Sequence, residues 1–205
     1  MSLLGERFTK PGRVMAGGLV ILATGSLLVG DSLFFYTKGW LAQQLLERAW
    51  KITLDRGEAV RAWSWADTTP LGKLIIPHLD YHRVVLNAGG TEALAFGPAH
   101  VAGTARPGEI GNVVLAGHRD SYFRQLAKLE VGDSLFLESM SGKQKFIVSF
   151  HVVANPTDIH YLDKEGPNRL TMITCYPFDY IGSAPQRYIV IAYPVERDTM
   201  NLTGK

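Results

Sequence analysis

The sequence predicts a mainly β protein whose strands form a closed or nearly closed, antiparallel-rich barrel. Three observations support this prediction. An apolar segment without charges lies near the N-terminus, and a stretch rich in helix formers follows it. From Lys73 onward, short β-branched or aromatic runs alternate with turn residues, which is the pattern of seven or eight strands. The predicted order is therefore a membrane helix, a helical stalk and a barrel.

Composition limits the functions open to this chain of 205 residues. Hydrophobic residues make up 46% and charged residues 20%, so the chain can bury a core and is not disordered as a whole. The net charge is only +2 and no basic run exceeds two residues, so we expect no nucleic-acid partner. A single cysteine excludes an intramolecular disulfide and any multi-cysteine metal site. Cys175 is then a packed core residue, a free thiol or a nucleophile.

The N-terminal apolar segment predicts a transmembrane anchor at 14–36. Seventeen residues from Val14 to Gly30 carry no charge, and the apolar run resumes after Asp31 as far as Tyr36. At a rise of 1.5 Å per residue, these 23 residues would span a hydrocarbon core of roughly 30 Å. Asp31 would lie near one end, where a carboxylate reaches the interface, and Tyr36 and Trp40 suit the interfacial aromatic belt.

The flanking charges predict the orientation of this anchor. Arg7, Lys10 and Arg13 precede it and only Glu6 opposes them, so residues 1–13 are expected to be a cytoplasmic basic N-terminus. A cleaved signal peptide is the alternative, but its apolar core is shorter and a small-x-small site should follow it. Residues 34–40 contain no such site. We therefore expect an uncleaved anchor, with the rest of the chain exported.

Residues 37–72 are interpreted as a helical stalk or linker. The stretch 40–60 is rich in helix formers, and four apolar residues recur at helical spacing: Leu41, Leu45, Ala49 and Ile52. We expect this helix to pack on the domain, with Trp63 and Trp65 as apolar anchors near its end. The sequence Pro-Leu-Gly at 70–72 predicts a break before the barrel at 73–195. A short helical stretch is expected at 122–129, and 196–205 is expected to be a polar tail.

Cys175 is predicted to stand at the end of a strand. It closes the apolar run 170–175, and Pro177, which lacks an N–H and cannot continue a central ladder, follows two residues later. A side chain at a strand end can face a groove while the backbone holds it rigid. Taken alone, however, a free cysteine is more often a packing residue, because cysteine is among the most buried residue types.

His118 occurs in a similar setting, after the predicted strand at 112–116 and Gly117. Six histidines are present, so one histidine alone carries little information. His78 and His82 are four residues apart, which invites a zinc interpretation. Pro77 precedes them and no Glu follows His78, so we give that interpretation little weight.

Arg187 begins the last predicted strand, after the loop 176–186. If the strands on both sides of this loop pair, Arg187 lies near Cys175. A thiol that attacks a carbonyl needs a group that moves protons, and histidine titrates in a suitable range. It also needs positive donors where the oxyanion develops, which an arginine provides. Cys175, His118 and Arg187 together supply these parts.

Two segments, 97–119 and 170–191, resemble the sortase family, and the likeness is greatest to class D-type sortases and their Gram-negative relatives. The family signature Leu-x-x-Thr-Cys corresponds to Leu170, the Met172–Ile173 region, Thr174 and Cys175; with Thr171 the run reads T-M-I-T-C, so one more residue separates Leu170 from Thr174 than in the signature. The Gly-His-Arg run and the Ala-Pro-x-Arg run agree with the family in order and context. The resemblance extends from about Lys73 to Pro194, and the anchor-first layout is also typical of the family.

This resemblance implies an eight-stranded barrel and a cysteine transpeptidase that cuts a C-terminal LPXTG-type sorting motif between Thr and Gly. The implied roles are nucleophile for Cys175, general acid/base for His118, and oxyanion or substrate-orienting donor for Arg187. Thr174 is implied as a substrate-binding residue. The expected partners are proteins with a sorting signal and an amine acceptor, from a cell-wall precursor or a pilin Lys. No metal or organic cofactor is implied, and we find no convincing acidic cluster for the calcium that some members bind.

Three alternatives compete with this prediction, and the sequence disfavours the first two. An L,D-transpeptidase also uses Cys, His and Arg, but its Ser-His-Gly-Cys-x-Arg run is absent, and a papain-like peptidase places Cys before His. A membrane-tethered barrel without catalysis would act as a binding module, and it predicts that Cys175 is buried and distant from His118. The Gram-negative likeness favours an inner-membrane protein whose catalytic domain faces the periplasm.

Overall fold

The computed structural model describes residues 11–87 and 91–195. The chain divides into two compact units, Met1–Leu41 and Ala42–Lys205. The residues at 1–10 of the predicted cytoplasmic N-terminus, and the predicted polar tail at 196–205, lie outside the described residues. The first described element is the helix α1, Pro11–Arg56. Across the described ranges, no helix meets the length and apolar character required to cross a bilayer.

Eight strands follow in the described part of the chain: β1 (Pro70–Ile76), β2 (Tyr81–Asn87), β3 (Ala99–His100), β4 (Asn112–Ala116), β5 (Ser134–Ser139), β6 (Gly142–Ala154), β7 (Arg169–Tyr176) and β8 (Gln186–Pro194). They form a closed barrel in the order β1-β2-β3-β4-β7-β8-β6-β5. The predicted mainly β, closed eight-stranded barrel is therefore confirmed. Two neighbouring pairs are parallel, β2–β3 and β4–β7, and the other six are antiparallel.

Among the residues that the structure describes, four short 3-10 helices connect the strands: Pro77–Leu79, Thr91–Ala95, Arg124–Lys128 and Ile159–Leu162. The third of these lies within the stretch 122–129 where a short helical segment was predicted. The break predicted at 70–72 is wrong, because β1 begins at Pro70 and Gly72 lies within it. The pairing of β1 with β2 shifts register between these two residues, so the strand tolerates a proline through a bulge.

Every second side chain along a strand points into the barrel and fills its interior. In β1, buried and partly buried side chains alternate strictly, as expected for a strand with one face on a core. Fully buried side chains from every long strand and from the 3-10 helix after β4 make one continuous core, which includes Leu74, Leu115, Phe123, Leu126, Leu135, Met172 and Val190. At roughly 25 cal/mol per Å² of apolar surface, this burial is the main stabilising term for the barrel.

The C-terminal part of α1 packs on the barrel through a face one residue away from the predicted one. The buried residues are Ala42, Leu46, Ala49, Trp50 and Thr53. Of the four residues predicted to form the buried stripe, only Ala49 is buried, and Leu41 is exposed. The helix also ends at Arg56, four residues before the predicted end of the helical stretch at residue 60.

The two tryptophans after the helix have different environments. Trp63 packs against Phe96, with their ring centroids 5.1 Å apart in an edge-on arrangement. Trp65 is 79% exposed, so its predicted role as an apolar anchor is wrong. Trp50 supplies the anchor instead: it is buried, and its indole N–H donates a 2.8 Å hydrogen bond to Oε1 of Glu138 on β5.

Candidate active site

The parallel pair β4–β7 brings His118 to the level of Cys175. Ala116 is paired with Ile173, and the N–H of Gly117 continues the ladder with a 3.2 Å hydrogen bond to the carbonyl of Ile173. His118 and Cys175 each lie two residues beyond this pair. Because neighbouring strands are about 4.8 Å apart, the two chains pass the site side by side.

The antiparallel pair β7–β8 brings in the arginine. Cys175 is directly opposite Arg187 in the register of this pair. Residues in that relation point to the same face of a sheet, with Cβ atoms roughly 4.5–5.5 Å apart. His118, Cys175 and Arg187 therefore stand on three adjacent chain segments at one end of the barrel, although they are separated by 57 and 12 residues in sequence.

These three predicted residues line one open pocket of about 350 Å³. The other lining residues come from the segments after β4 and after β7: Arg119, Asp120, Gly182, Ser183 and Ala184. His118 is exposed, whereas Cys175 and Arg187 are half-buried. The binding-module alternative predicted a buried Cys175 distant from His118, and this geometry contradicts it.

The Arg187 guanidinium is oriented by the main chain. Its Nη1 donates to the carbonyls of Ala184, at 3.3 Å, and of Gln186, at 3.0 Å. These bonds occupy one nitrogen of the fork, and a guanidinium carries five N–H donors. The remaining donors are suited to an anionic or carbonyl oxygen in the pocket, and the positive charge suits an oxyanion that forms next to the Cys175 sulfur.

Thr174 lies beside Cys175 in sequence, but its side chain does not face the pocket. It is 2% exposed, and its hydroxyl donates a 2.7 Å hydrogen bond to the carbonyl of Gly117. The hydroxyl thus makes a hydrogen bond near the site, and the implied substrate-binding role of Thr174 stays a prediction that rests on the resemblance alone. Alternation along β7 explains the difference, because Cys175 faces the pocket and the residue before it must point to the opposite side.

Gly117 is required by a close approach at the end of β4. A Cβ atom at this position would lie 2.7 Å from Cγ of the buried Phe123. The N–H of Phe123 donates a 2.9 Å hydrogen bond to the carbonyl of His118. The phenyl ring and this hydrogen bond together fix the turn that presents the imidazole, and the small residue before His118 allows the ring to fit.

Arg119 is a site residue that the sequence predictions missed. Its guanidinium lines the pocket beside His118 and donates to three main-chain carbonyls of the segment after β7, at Pro177, Tyr180 and Gly182. The Gly-His-Arg run was noted in sequence, but an arginine next to a histidine on a turn is normally a solvated residue. No local pattern shows which carbonyls will accept its hydrogen bonds.

An aromatic cluster lies at the ends of β7 and β8, next to Cys175. The rings of Tyr176, Phe178 and Tyr188 pack with centroids 5.1–6.0 Å apart, and the Tyr188 hydroxyl lies 2.9 Å from Nδ1 of His151. Burial raises the pKa of Tyr188, and the neighbouring Tyr176 adds to this shift. Burial also lowers the pKa of His151, against a smaller opposite effect of Asp133. Both shifts favour the neutral forms of these two side chains.

The pair His78 and His82 does not form a zinc site. His78 Nε2 lies 3.2 Å from an oxygen of Asp133, and His82 Nδ1 lies 4.0 Å from an oxygen of Asp80. Within 11–87 and 91–195, no three His, Cys, Asp or Glu side chains are arranged to hold a metal ion together.

A closed eight-stranded barrel whose adjacent strand ends carry His, Cys and Arg around one pocket is the architecture of the sortases. The family model described as "Sortase domain" matches residues 74–195, which is more than half of the chain. The chain therefore belongs to the sortase family, as the resemblance predicted. This membership sets aside the L,D-transpeptidase and papain-like alternatives.

Individual relatives agree with this assignment. Sortase D of Bacillus subtilis (strain 168) is 37% identical over 121 residues, which cover 58% of this chain and 61% of that relative. Among solved structures, Streptococcus agalactiae sortase C1 in complex with MTSET is 27% identical, with a TM-score of 0.56 over 62% of this chain and 69% of that one. A Clostridium perfringens sortase D5 transpeptidase shares the fold, with a TM-score of 0.61 at 23% identity over 76% of this chain and 98% of that one.

Proposed function

We propose that this chain is a membrane-anchored cysteine transpeptidase that cleaves a C-terminal LPXTG-like sorting signal and transfers the protein to an amine acceptor. The observation that carries the proposal is the shared pocket of His118, Cys175 and Arg187, on three adjacent segments of the barrel. Family membership adds support, because the matched region contains all three residues.

The first half of the reaction forms a thioester. The sulfur of Cys175 attacks the carbonyl carbon of the substrate Thr, and its proton passes to the His118 imidazole. Arg187 donates hydrogen bonds to the oxyanion that develops on the carbonyl oxygen. When the intermediate collapses, the Thr–Gly C–N bond breaks and the leaving Gly amine takes the proton from His118. The protein remains attached to the sulfur as an acyl-enzyme.

The second half transfers the acyl group. The acceptor amine attacks the thioester carbonyl and gives a proton to His118, and Arg187 again donates to the oxyanion. Collapse breaks the C–S bond, and the sulfur recovers the proton from His118. A new amide bond joins the sorted protein to the acceptor, whose source would be a cell-wall precursor or a pilin Lys. His118 moves every proton in this scheme and Cys175 carries the acyl group between the two halves, so no cofactor enters it.

Membrane anchoring is a separate part of the proposal and is supported by sequence features alone. The uncharged residues 14–30, with a basic flank before them, are suited to a single N-in anchor that leaves the barrel exported, to the periplasm in a Gram-negative-type cell. Carbonate washing of membranes carrying the full chain should leave it in the pellet. Protease added from the exported side should digest the barrel, and loss of the chain to the carbonate supernatant would contradict the anchor.

The catalytic proposal is tested by incubating the full chain with a library of LPXTG-type peptides and an amine acceptor. We expect an acyl-enzyme mass on the parent protein and a ligated product, and neither with Cys175→Ala. Because the chain has one cysteine, a thiol-reagent adduct reports on this residue alone. Ser149→Ala, on the exposed surface of β6, is the matched control and should retain full activity. Undiminished ligation by Cys175→Ala would refute the mechanism.

A further inference from the structure

One arginine side chain binds the main chain of the loop between β7 and β8, which we define as residues 177–185. Nη1 of Arg119 donates to the Pro177 carbonyl at 3.0 Å, and Nη2 donates to the carbonyls of Tyr180 and Gly182, the latter at 3.2 Å. Its guanidinium carbon also lies 5.9 Å from the centroid of the Tyr180 ring. A single guanidinium therefore binds three main-chain carbonyls within the first six residues of the loop.

Beyond Phe178, whose ring packs against Tyr176 and Tyr188, the loop has few other contacts that define its shape. In the described chain it contains one main-chain hydrogen bond of its own, from the Tyr180 N–H to the Pro177 carbonyl at 3.4 Å. Its tip is not held by apolar packing, since Ile181 is 97% exposed. Hydrogen bonds from a charged donor are stronger than typical neutral ones. Between Phe178 and Ala184, whose carbonyl accepts from Arg187, the conformation of the loop thus depends mainly on Arg119.

The same loop carries the groups that orient Arg187. The Ala184 carbonyl, which accepts from Arg187, lies two residues after Gly182, whose carbonyl accepts from Arg119. The loop begins two residues after Cys175, and Arg119 directly follows His118. The Arg119 fork therefore connects the backbone next to the imidazole with the loop that joins the thiol strand to the arginine strand.

We propose that Arg119 is a positioning residue: its guanidinium holds the β7–β8 loop in the shape that orients the Arg187 guanidinium and forms one side of the pocket next to Cys175. The role rests on the proposed function, since it acts on the pocket that would bind the sorting signal. Arg119 acts through the main chain and not on the reacting atoms.

A purely electrostatic role is the competing explanation, because Arg119 places a positive charge in the pocket. Substitution of Arg119 by lysine distinguishes the electrostatic explanation from the positioning role. Lysine keeps the charge and a long aliphatic stem, but its ammonium is a compact point donor that cannot span three carbonyls. If only the charge matters, Arg119→Lys should behave as the parent; if the fork matters, it should behave as Arg119→Met.

The chain offers a matched control at Arg83. This arginine also donates to a main-chain carbonyl, that of His82 at 2.7 Å, and lies over a tyrosine ring, Tyr81, at 5.5 Å. It stands on β2 and is not among the residues that line the pocket. Arg83→Met removes the same kinds of contact elsewhere, and it reports how much of any effect is general loss of stability.

The first measurement needs no substrate. Hydrogen exchange is followed by mass spectrometry on peptides covering 178–187 in the parent and the three variants. We expect the hydrogen-bonded amides of this segment, at Tyr180 and at the start of β8, to exchange about tenfold or more faster in both Arg119 variants, as local opening becomes easier, and at the parental rate in Arg83→Met. Parental exchange in Arg119→Lys would overturn the proposal, and this variant carries the test if Arg119→Met does not fold.

The second measurement distinguishes positioning from thiol exposure. Iodoacetamide needs an accessible thiolate but no assembled substrate pocket, so its rate with Cys175 in Arg119→Lys, which keeps the charge, should stay within about threefold of the parent. Cleavage of a sorting peptide needs the assembled pocket, and a displacement of about 1 Å can cost 10²-fold, so kcat should fall about tenfold or more in Arg119→Lys with a smaller change in KM. Parental kcat in that variant would refute the positioning role. If the parent cleaves no peptide, the proposed function fails, whereas the exchange result still decides the role of Arg119.

Discussion

The hydroxyl of Thr174 donates a 2.7 Å hydrogen bond to the main-chain carbonyl of Gly117. This bond joins the residue before the cysteine to the residue before the histidine, across the parallel pair β4–β7. It lies in the interior, where water does not compete, so it specifies the relation between the two strand ends that carry His118 and Cys175.

Removing this hydroxyl should destabilise the barrel. Thr174→Val keeps the side-chain shape but leaves the buried Gly117 carbonyl unsatisfied, which costs about 1–3 kcal/mol of unfolding free energy. Urea denaturation measures the change. Thr174→Ser is the control: it keeps the hydroxyl, and the lost methyl should cost about 0.8 kcal/mol. Equal stability of the Val variant and the parent would show that this bond does not hold the two strand ends together.

Replacing Arg187 by Lys should impair catalysis without unfolding the chain. Lys retains a positive charge but lacks the planar fork that serves both the Ala184 carbonyl and a developing oxyanion. Loss of an oxyanion donor typically lowers kcat by about 10²–10³, and we expect a loss of that order in peptide cleavage. Arg106→Lys, at an exposed position, is the control. A kcat for Arg187→Lys within about twofold of the parent would remove this residue from the proposed mechanism.

The helix–barrel contact within the second unit should depend on Trp50. This side chain is 1% exposed and donates to Glu138, so Trp50→Ala should cost about 3–5 kcal/mol by leaving a large cavity and an unpaired carboxylate. Trp65→Ala provides a matched comparison, because the same side chain is removed from a position that is 79% exposed. Thermal denaturation of both variants gives the difference, and similar midpoints would contradict the assigned anchor.

Stability should fall on acidification because of His100. This histidine is buried, its Nε2 lies 3.0 Å from the carbonyl oxygen of Ala105, and burial lowers its pKa. Below its ordinary value of about 6.5, the unfolded chain binds a proton that the folded chain resists, so unfolding free energy decreases as pH falls toward the lowered pKa. Above pH 6.5 this contribution is complete.

Urea midpoints between pH 7.5 and 5 test the assignment. His100→Gln should show a shallower loss of stability over this range than the parent, while His160→Gln, at an exposed position, should follow the parent. An unchanged slope in His100→Gln would locate the acid sensitivity elsewhere.

Much of the barrel could be predicted from local patterns, because each strand carries its own signal. Alternating apolar residues and turn residues indicate strands regardless of what pairs with them, and proline two residues after Cys175 marks the end of β7. The buried face of α1 was misassigned by one residue, since a helix with apolar residues on several sides leaves the choice to the surface on which it packs. The exposure of Trp65 has the same cause, as hydrophobicity alone does not decide which of two nearby tryptophans finds a partner.

The sequence by itself determined the strand content of this protein, its single thiol, and the residue types available for acyl transfer at three predicted strand ends. Only the tertiary structure decided that these ends meet, that Thr174 points inward, and that Arg119 binds the loop beside them. The physical reason is that strand periodicity specifies the two faces of each strand and not its neighbours. Pairing between residues 57 positions apart is decided by closure of the whole barrel. The acceptors of the Arg119 guanidinium are main-chain carbonyls, which every residue type has, so the sequence does not indicate which of them it binds.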